Sequence, residues 1–242
     1  MGYPSRVPTK QHDARPRLEG KVGLFGDIHA EDHKLEDALE TLRKWGASTF
    51  LSVGDIVDGR GDVDRCIALL READALAVRG NHERWFGRKL MRKLRHATRR
   101  AAPATTQYLD ALPVTRSFST PLGPLLLCHG LGERDTKGVG PEDGGYALEA
   151  NEALAEVLAG PHSLIVNGHT HKPMCWCFGR VTIINAGTLR SDHQPGFAGL
   201  DLDAPALSFW AFDRFGGHAL AATYPLSDQP SRRVPWSVSR SD

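Results

Sequence analysis

Short apolar runs recur along the chain, each ending in glycine and polar residues, and several are separated by stretches in which apolar residues fall at helical spacing. The first run, KVGLFGDIH (21–29), reads as a buried strand and its exit loop. In the stretch that follows, Leu35, Ala38, Leu39, Leu42 and Trp45 mark one face of a helix, with Gly46 placed to stop it. The cycle repeats with STFLSVGDIVDG (48–59), the helix VDRCIALLREA (63–73) and the strand ALAVRGNHE (75–83). A long helix is then expected from Arg84 to about Arg100, with Phe86, Leu90, Leu94 and Ala97 buried and its eight cations outward. Alternation of this kind argues for parallel βαβ units.

After about residue 112 the pattern changes. PVTRSFS and PLLLCHG flank Thr120-Pro121-Leu122-Gly123 and predict an antiparallel hairpin. GVGPEDGG (138–145) reads as a flap near His129, followed by a helix over 146–160 and the strand SLIVNGHTH (163–171). The rest is strand-rich to about residue 226. The expected fold is α/β, two mixed sheets face to face and covered by helices, with a flexible arm over residues 1–18, a globular domain over 19–226 and a tail over 227–242.

Composition narrows the picture by exclusion. The 242 residues suffice for one sizeable domain without staples, and 30 basic against 29 acidic side chains set up no global field for a polyanion or membrane. Cys66, Cys128, Cys175 and Cys177 form neither a disulfide framework nor a zinc knuckle and read as buried or idle thiols in a reducing compartment. The polar, proline-bearing N-terminus and the lack of any membrane-length apolar run lead to the expectation of a soluble, cytoplasmic protein.

Chemistry collects at the strand ends. Asp27-x-His29, Gly54-Asp55-x-x-Asp58-Gly59, Gly80-Asn81-His82-Glu83, Cys128-His129-Gly130 and Gly168-His169-Thr170-His171 each follow an apolar run. Ligands of open α/β sheets sit beyond the carboxyl ends of the strands, and glycine there allows tight turns and close backbone approach. Alternation along an extended chain turns His169 and His171 toward one space, as two ligands of a larger metal cluster. Carboxylates, imidazoles and an amide oxygen without thiolate suit manganese, iron or zinc.

The ordered set resembles the calcineurin-like metallophosphoesterase superfamily over about residues 21–190. The resemblance implies a four-layer αββα sandwich with a two-metal site and phosphoric ester hydrolysis. It implies that Asp27, His29, Asp55 and His171 hold one metal and Asp55, Asn81, His129 and His169 the other, Asp55 bridging. A shared water, ionised near neutral pH, then attacks phosphorus in line, and no protein nucleophile is needed. In that scheme His82 is the general acid and Asp58 fixes its tautomer; the alternative is that Asp58 caps the turn. Arg60 and Arg84 flank these motifs as substrate-phosphate ligands, or are ordinary surface arginines. Asn185-Ala186-Gly187-Thr188 reads as structural support, and the six remaining histidines, His193 among them, as solvated.

The substrate is less legible. The segment GHTHKP followed by NAGT favours a phosphodiesterase on a small or nucleotide-like substrate. VRGNHER is reminiscent of protein Ser/Thr phosphatases and dinucleoside polyphosphate hydrolases, although the Asp-Arg-Gly of those relatives is Asp58-Gly59-Arg60-Gly61 here. The basic helix over 84–100 is either a nucleic-acid track for a nuclease or a solvated face. A non-catalytic scaffold is the reading from another class, and an exposed C-terminal sheet edge would serve a homodimer.

Overall fold

The computed structural model of the chain describes residues 15–226 and 232–235. Residues 1–14 of the expected arm, and residues 227–231 and 236–242 of the expected tail, lie outside the described residues. The first half of the chain forms β1 (Lys21–Phe25), α1 (Asp32–Trp45), β2 (Thr49–Ser52), α2 (Val63–Glu72), β3 (Leu76–Ala77), α3 (Asn81–Gly87), α4 (Pro103–Asp110), β4 (Thr115–Phe118) and β5 (Leu125–Cys128). The second half adds α5 (Tyr146–Glu149), α6 (Glu152–Ala159), β6 (Leu164–Asn167), β7 (Met174–Phe178), β8 (Val181–Asn185), β9 (Gly196–Asp201), β10 (Ala206–Phe212), β11 (His218–Pro225) and β12 (Arg232–Arg233).

Two six-stranded mixed sheets result, ordered β11-β10-β9-β1-β2-β3 and β12-β7-β8-β6-β5-β4. Strands β1, β2 and β3 run parallel, as do β5, β6 and β8, while the remaining pairings are antiparallel. Leu24, Leu51, Val166, Ile184 and Phe209 fill the space between the sheets. Leu35, Leu39, Leu42 and Leu70 pack helices α1 and α2 on the outside of the first sheet, and Leu154 and Val157 pack α6 on the second. The architecture is therefore the expected αββα sandwich. Both central strands are buried on both faces, which is why they read as unbroken apolar runs instead of alternating ones.

Local chemistry explains the boundaries. Gly46 closes α1 in the left-handed conformation at φ 102°, its N–H donating to the Arg43 carbonyl. The Asp62 carboxylate accepts the Asp64 and Arg65 N–H groups and starts α2. Asn151 caps α6 in the same manner, and so breaks the single helix expected over 146–160 into two.

A larger departure lies at residues 84–100. The helix ends at Gly87, and residues 88–100 run as turns with Lys89, Met91 and His96 at positive φ. Leu90 is exposed instead of lining a buried stripe, Met91 beside it is exposed too, and Arg92 turns back into the protein. The edge strand β11 is largely exposed, with Leu220 at 56%. All four cysteines are buried free thiols. Among the described residues, no helix is long and apolar enough to cross a membrane.

Candidate metal centre

The parallel strands of both sheets end at one edge, and each exit delivers one part of a single cluster. Asp27 and His29 follow β1, Asp55 and Asp58 follow β2, Asn81 and His82 open α3 after β3, His129 follows β5, and His169 and His171 follow β6. The loops are tight enough to force unusual backbone. His29, Asp55, Asp58, His169 and His171 all have positive φ, between 46° and 67°. Each such residue costs about 1–3 kcal/mol, which persists only where surrounding contacts over-determine the conformation. Close approach adds a second constraint: a Cβ on Gly59 would lie 1.5 Å from the His29 carbonyl oxygen.

Side-chain donors of Asp27, His29, Asp55 and His171 lie within 4.8 Å of one another. His29 Nε2 faces His171 Nε2 at 3.2 Å, and His171 Nε2 stands 3.6 Å from Asp27 Oδ1. Beside this set is another. Asn81 Oδ1 is 2.9 Å from His129 Nε2 and 3.0 Å from His169 Nδ1, and His129 Nε2 is 3.3 Å from Asp55 Oδ2. Asp55 Oδ2 also stands 3.9 Å from His29 Nε2, so one carboxylate belongs to both groups.

The hydrogen bonds behind these side chains test whether the cluster fits a cation. His29 Nδ1–H donates to the Asp58 carbonyl at 3.0 Å and His129 Nδ1–H to the Val53 carbonyl at 2.9 Å. Each bond fixes the tautomer that turns Nε2 inward, as carbonyl partners of metal-bound histidines do. Burial holds His29 down to about 4 and His171 down to about 2, so both stay neutral and offer lone pairs. Asp27, pushed up mainly by burial, rises to about 7. Burial opposes charge on His129 as well, yet the Asp55 carboxylate outweighs it and raises this imidazole to about 10. A proton on His129 is thus the smallest cation that satisfies a crowd of acceptors. The donor set fits divalent metal.

His82 stands at the rim, 13% exposed, with Nε2 3.8 Å from Asp55 Oδ2. Its Nδ1–H donates to Asp58 Oδ2 at 2.8 Å. Burial opposes a charged His82, but the Asp58 hydrogen bond and the Asp55 and Asp58 charges outweigh it and hold the imidazole above its ordinary value. Glu83, fully inside, accepts four backbone N–H groups: Ile56 (2.7 Å) and Val57 (3.1 Å) on Oε1, Asp55 and Gly80 (2.8 Å each) on Oε2. It ties the loop carrying Asp55 to the loop carrying Asn81.

The structure treats the other singled-out residues differently. Arg84 is engaged by Asp135 through two bonds of 2.6 and 2.9 Å. Arg60 is exposed and has no ion pair among the described residues. Asn185 donates to the Gly168 carbonyl and Thr170 Oγ1, and Thr188 Oγ1 donates to the Asp27 carbonyl, so this segment braces two ligand loops. Within the GVGPEDGG stretch, Gly138 lies against Thr170 and His169. His193, expected to be solvated, is exposed, with its ring 4.6 Å from that of His171. Arg92, expected outward, reaches Asp58. Arg92 had no sequence signal for this, because its partner is 34 residues away along the chain.

The family described as the calcineurin-like phosphoesterase superfamily domain matches residues 21–204. Serine/threonine-protein phosphatase 1 of Salmonella typhimurium is 43% identical over 72 residues, 28% of this chain and 33% of that protein. The chain thus aligns with about a third of that relative's length. A hypothetical protein from Pyrococcus horikoshii superposes with a TM-score of 0.60 at 16% identity, over 78% of this chain and 86% of its own. Yfce, a phosphoesterase from E. coli, does so with 0.53 at 19% identity, over 86% and 100%. At such identities the structural likeness is one of fold.

Proposed function

The chain belongs to the calcineurin-like phosphoesterase superfamily, and on that footing we propose that it hydrolyses phosphate diesters at a centre built for two divalent cations. The observation that carries the reading is the pair of ligand groups sharing the Asp55 carboxylate. Asp27, His29, Asp55 and His171 would hold one ion, and Asp55, Asn81, His129 and His169 the other. When bound, the ions (manganese, iron or zinc suit this donor set) supply positive charge to the phosphoryl oxygens and a water that ionises near neutral pH. His82, its Nδ1 held by Asp58, keeps Nε2 free to carry the proton that the leaving oxygen takes.

The engagement of Arg84 and Arg190 by carboxylates weighs toward a diester. A monoester brings a dianion and calls for free cations to grip it, a diester only a monoanion. Arg84 is already engaged by Asp135, and Arg190, near His29 and His171, by Asp192 through bonds of 2.8 and 2.6 Å. The identity shared with a Salmonella phosphatase favours a second reading, a phosphoprotein phosphatase. A nuclease variant of the first reading is favoured by Arg88, Lys89, Lys93, Arg95, Arg99 and Arg100, which are exposed beside the site without an acid in residues 88–100.

Hydrolysis of bis-p-nitrophenyl phosphate against p-nitrophenyl phosphate, with manganese and with chelator, tests the main reading. Metal-dependent cleavage of the diester, weakened in His82→Ala, is expected. Preference for the monoester transfers support to the phosphatase, and silence on both with metals bound transfers it to a scaffold. Diester cleavage of single strands that falls steeply with salt, and is relieved of that dependence by Lys93→Glu with Arg95→Glu, supports the nuclease.

A further inference from the structure

We propose that Arg92 is a positioning residue for His82, acting through Asp58. The inference rests on the reading of His82 as the group that protonates the leaving oxygen. Arg92 makes two parallel bonds to Asp58, Nη1 to Oδ1 and Nη2 to Oδ2, each 2.8 Å. Its guanidinium is held from behind, with Nε donating to the Leu90 carbonyl at 2.6 Å, Nη1 to the Thr98 carbonyl at 3.0 Å, and the Phe86 ring 6.0 Å away. The Thr98 N–H donates to Asp58 Oδ1 at 2.8 Å, and the Asp58 N–H to Thr98 Oγ1 at 2.9 Å. The arrangement is not an ordinary surface pair: the Asp58 side chain is 2% exposed and that of Arg92 19%.

A carboxylate has one soft torsion, and its direction decides whether a lone pair meets His82 Nδ1–H. The guanidinium fork is planar and binds both oxygens at once, so it fixes the plane of the carboxylate. With that plane fixed, Oδ2 is shared by Arg92 and His82, and the imidazole is aimed with Nε2 toward Asp55. Without Arg92, the Thr98 amide holds Oδ1 alone and Oδ2 is free to swing off Nδ1. The cost to the fold of keeping Asp58 buried would remain, and the orientation would be lost. The turns at Lys89, Met91 and His96 are what allow residue 92 to fold back over residue 58.

Two measurements test this on the whole protein. In the first, Arg92→Ala, Arg92→Lys and His82→Ala are compared on methyl p-nitrophenyl phosphate and methyl phenyl phosphate, the second having the poorer leaving group. Because protonation matters most for a poor leaving group, Arg92→Ala should lower kcat on the phenyl ester by about tenfold or more and on the nitrophenyl ester by less than about threefold, KM holding steady. Added guanidinium should restore part of the loss, and Arg92→Lys, with charge but no fork, should fall between. In the second, the proton NMR resonance of His82 Nδ1–H, assigned by its loss in His82→Ala, should vanish from folded, metal-free Arg92→Ala.

Equal loss on both esters, without guanidinium rescue, overturns the proposal, as does a His82 resonance unchanged in Arg92→Ala. If wild-type protein cleaves neither ester, the functional reading fails by itself, and the resonance still decides whether Arg92 positions His82.

Discussion

Glu83→Gln replaces one oxygen of a buried carboxylate by an amide nitrogen, and the structure sets what that should cost. Four backbone N–H groups donate to Glu83, two on each oxygen. Glutamine can accept two of them, while its NH2 faces the other two, donor against donor. Losing two hydrogen bonds to a charged group costs about 1.5–3 kcal/mol each, or about 3–6 kcal/mol together. Relief of a carboxylate that burial already drives toward its neutral form offsets part of this, leaving about 3 kcal/mol. For a domain of this size that is a fall in Tm of about 6–12 °C. The loop bearing Asp55 is what those bonds hold, so metal affinity should fall as well, by about tenfold or more. A tenfold loss removes about 1.4 kcal/mol, or about 3–6 °C, of metal-induced stabilisation. Thermal melts with chelator and with saturating manganese read both effects separately. A chelated Glu83→Gln protein melting within 2 °C of wild type, with an undiminished manganese shift, would refute the claim that Glu83 organises the site.

Two further outcomes follow from the geometry. Gly59→Ala sets a Cβ against the His29 carbonyl where only backbone can yield, so it should destabilise the fold by about 3 kcal/mol or more and displace His29. Chemical denaturation with and without metal checks this, and a wild-type midpoint with wild-type metal binding would contradict it. Metal loading should also release a proton. His129, held near 10 by Asp55, keeps a proton at pH 7.5–9 that a bound ion must displace, so affinity should climb about tenfold per pH unit across that window. Calorimetry in buffers of different ionisation enthalpy counts the proton, and a release of zero would place His129 neutral in the free protein.

Much of this protein is decided by short-range chemistry and is legible in the chain. Apolar runs of four or five residues become doubly buried strands, and the polar residues at their exits have nowhere to go except one edge of the sheets. The strand ends pick out the motifs that contain Asp27, His29, Asp55, Asn81, His129, His169 and His171, the family resemblance singles out these seven among them, and the fold does bring them together. Glycines such as Gly59 and Gly46 mark where the chain turns or where backbones touch.

The fate of the arginines was decided only in three dimensions. Residues 84–100 carry a helical pattern, but helix propensity contributes well under 1 kcal/mol per residue, less than a charge-assisted fork to the buried Asp58 carboxylate can supply. Arg92 makes that fork, and the helix ends at Gly87 with turns beyond it. Asp135 claims Arg84 from 51 residues away. Strand-end chemistry is read from neighbours in sequence. Pairing of charges depends on which carboxylates the folded chain has buried nearby, and only tertiary structure sets that.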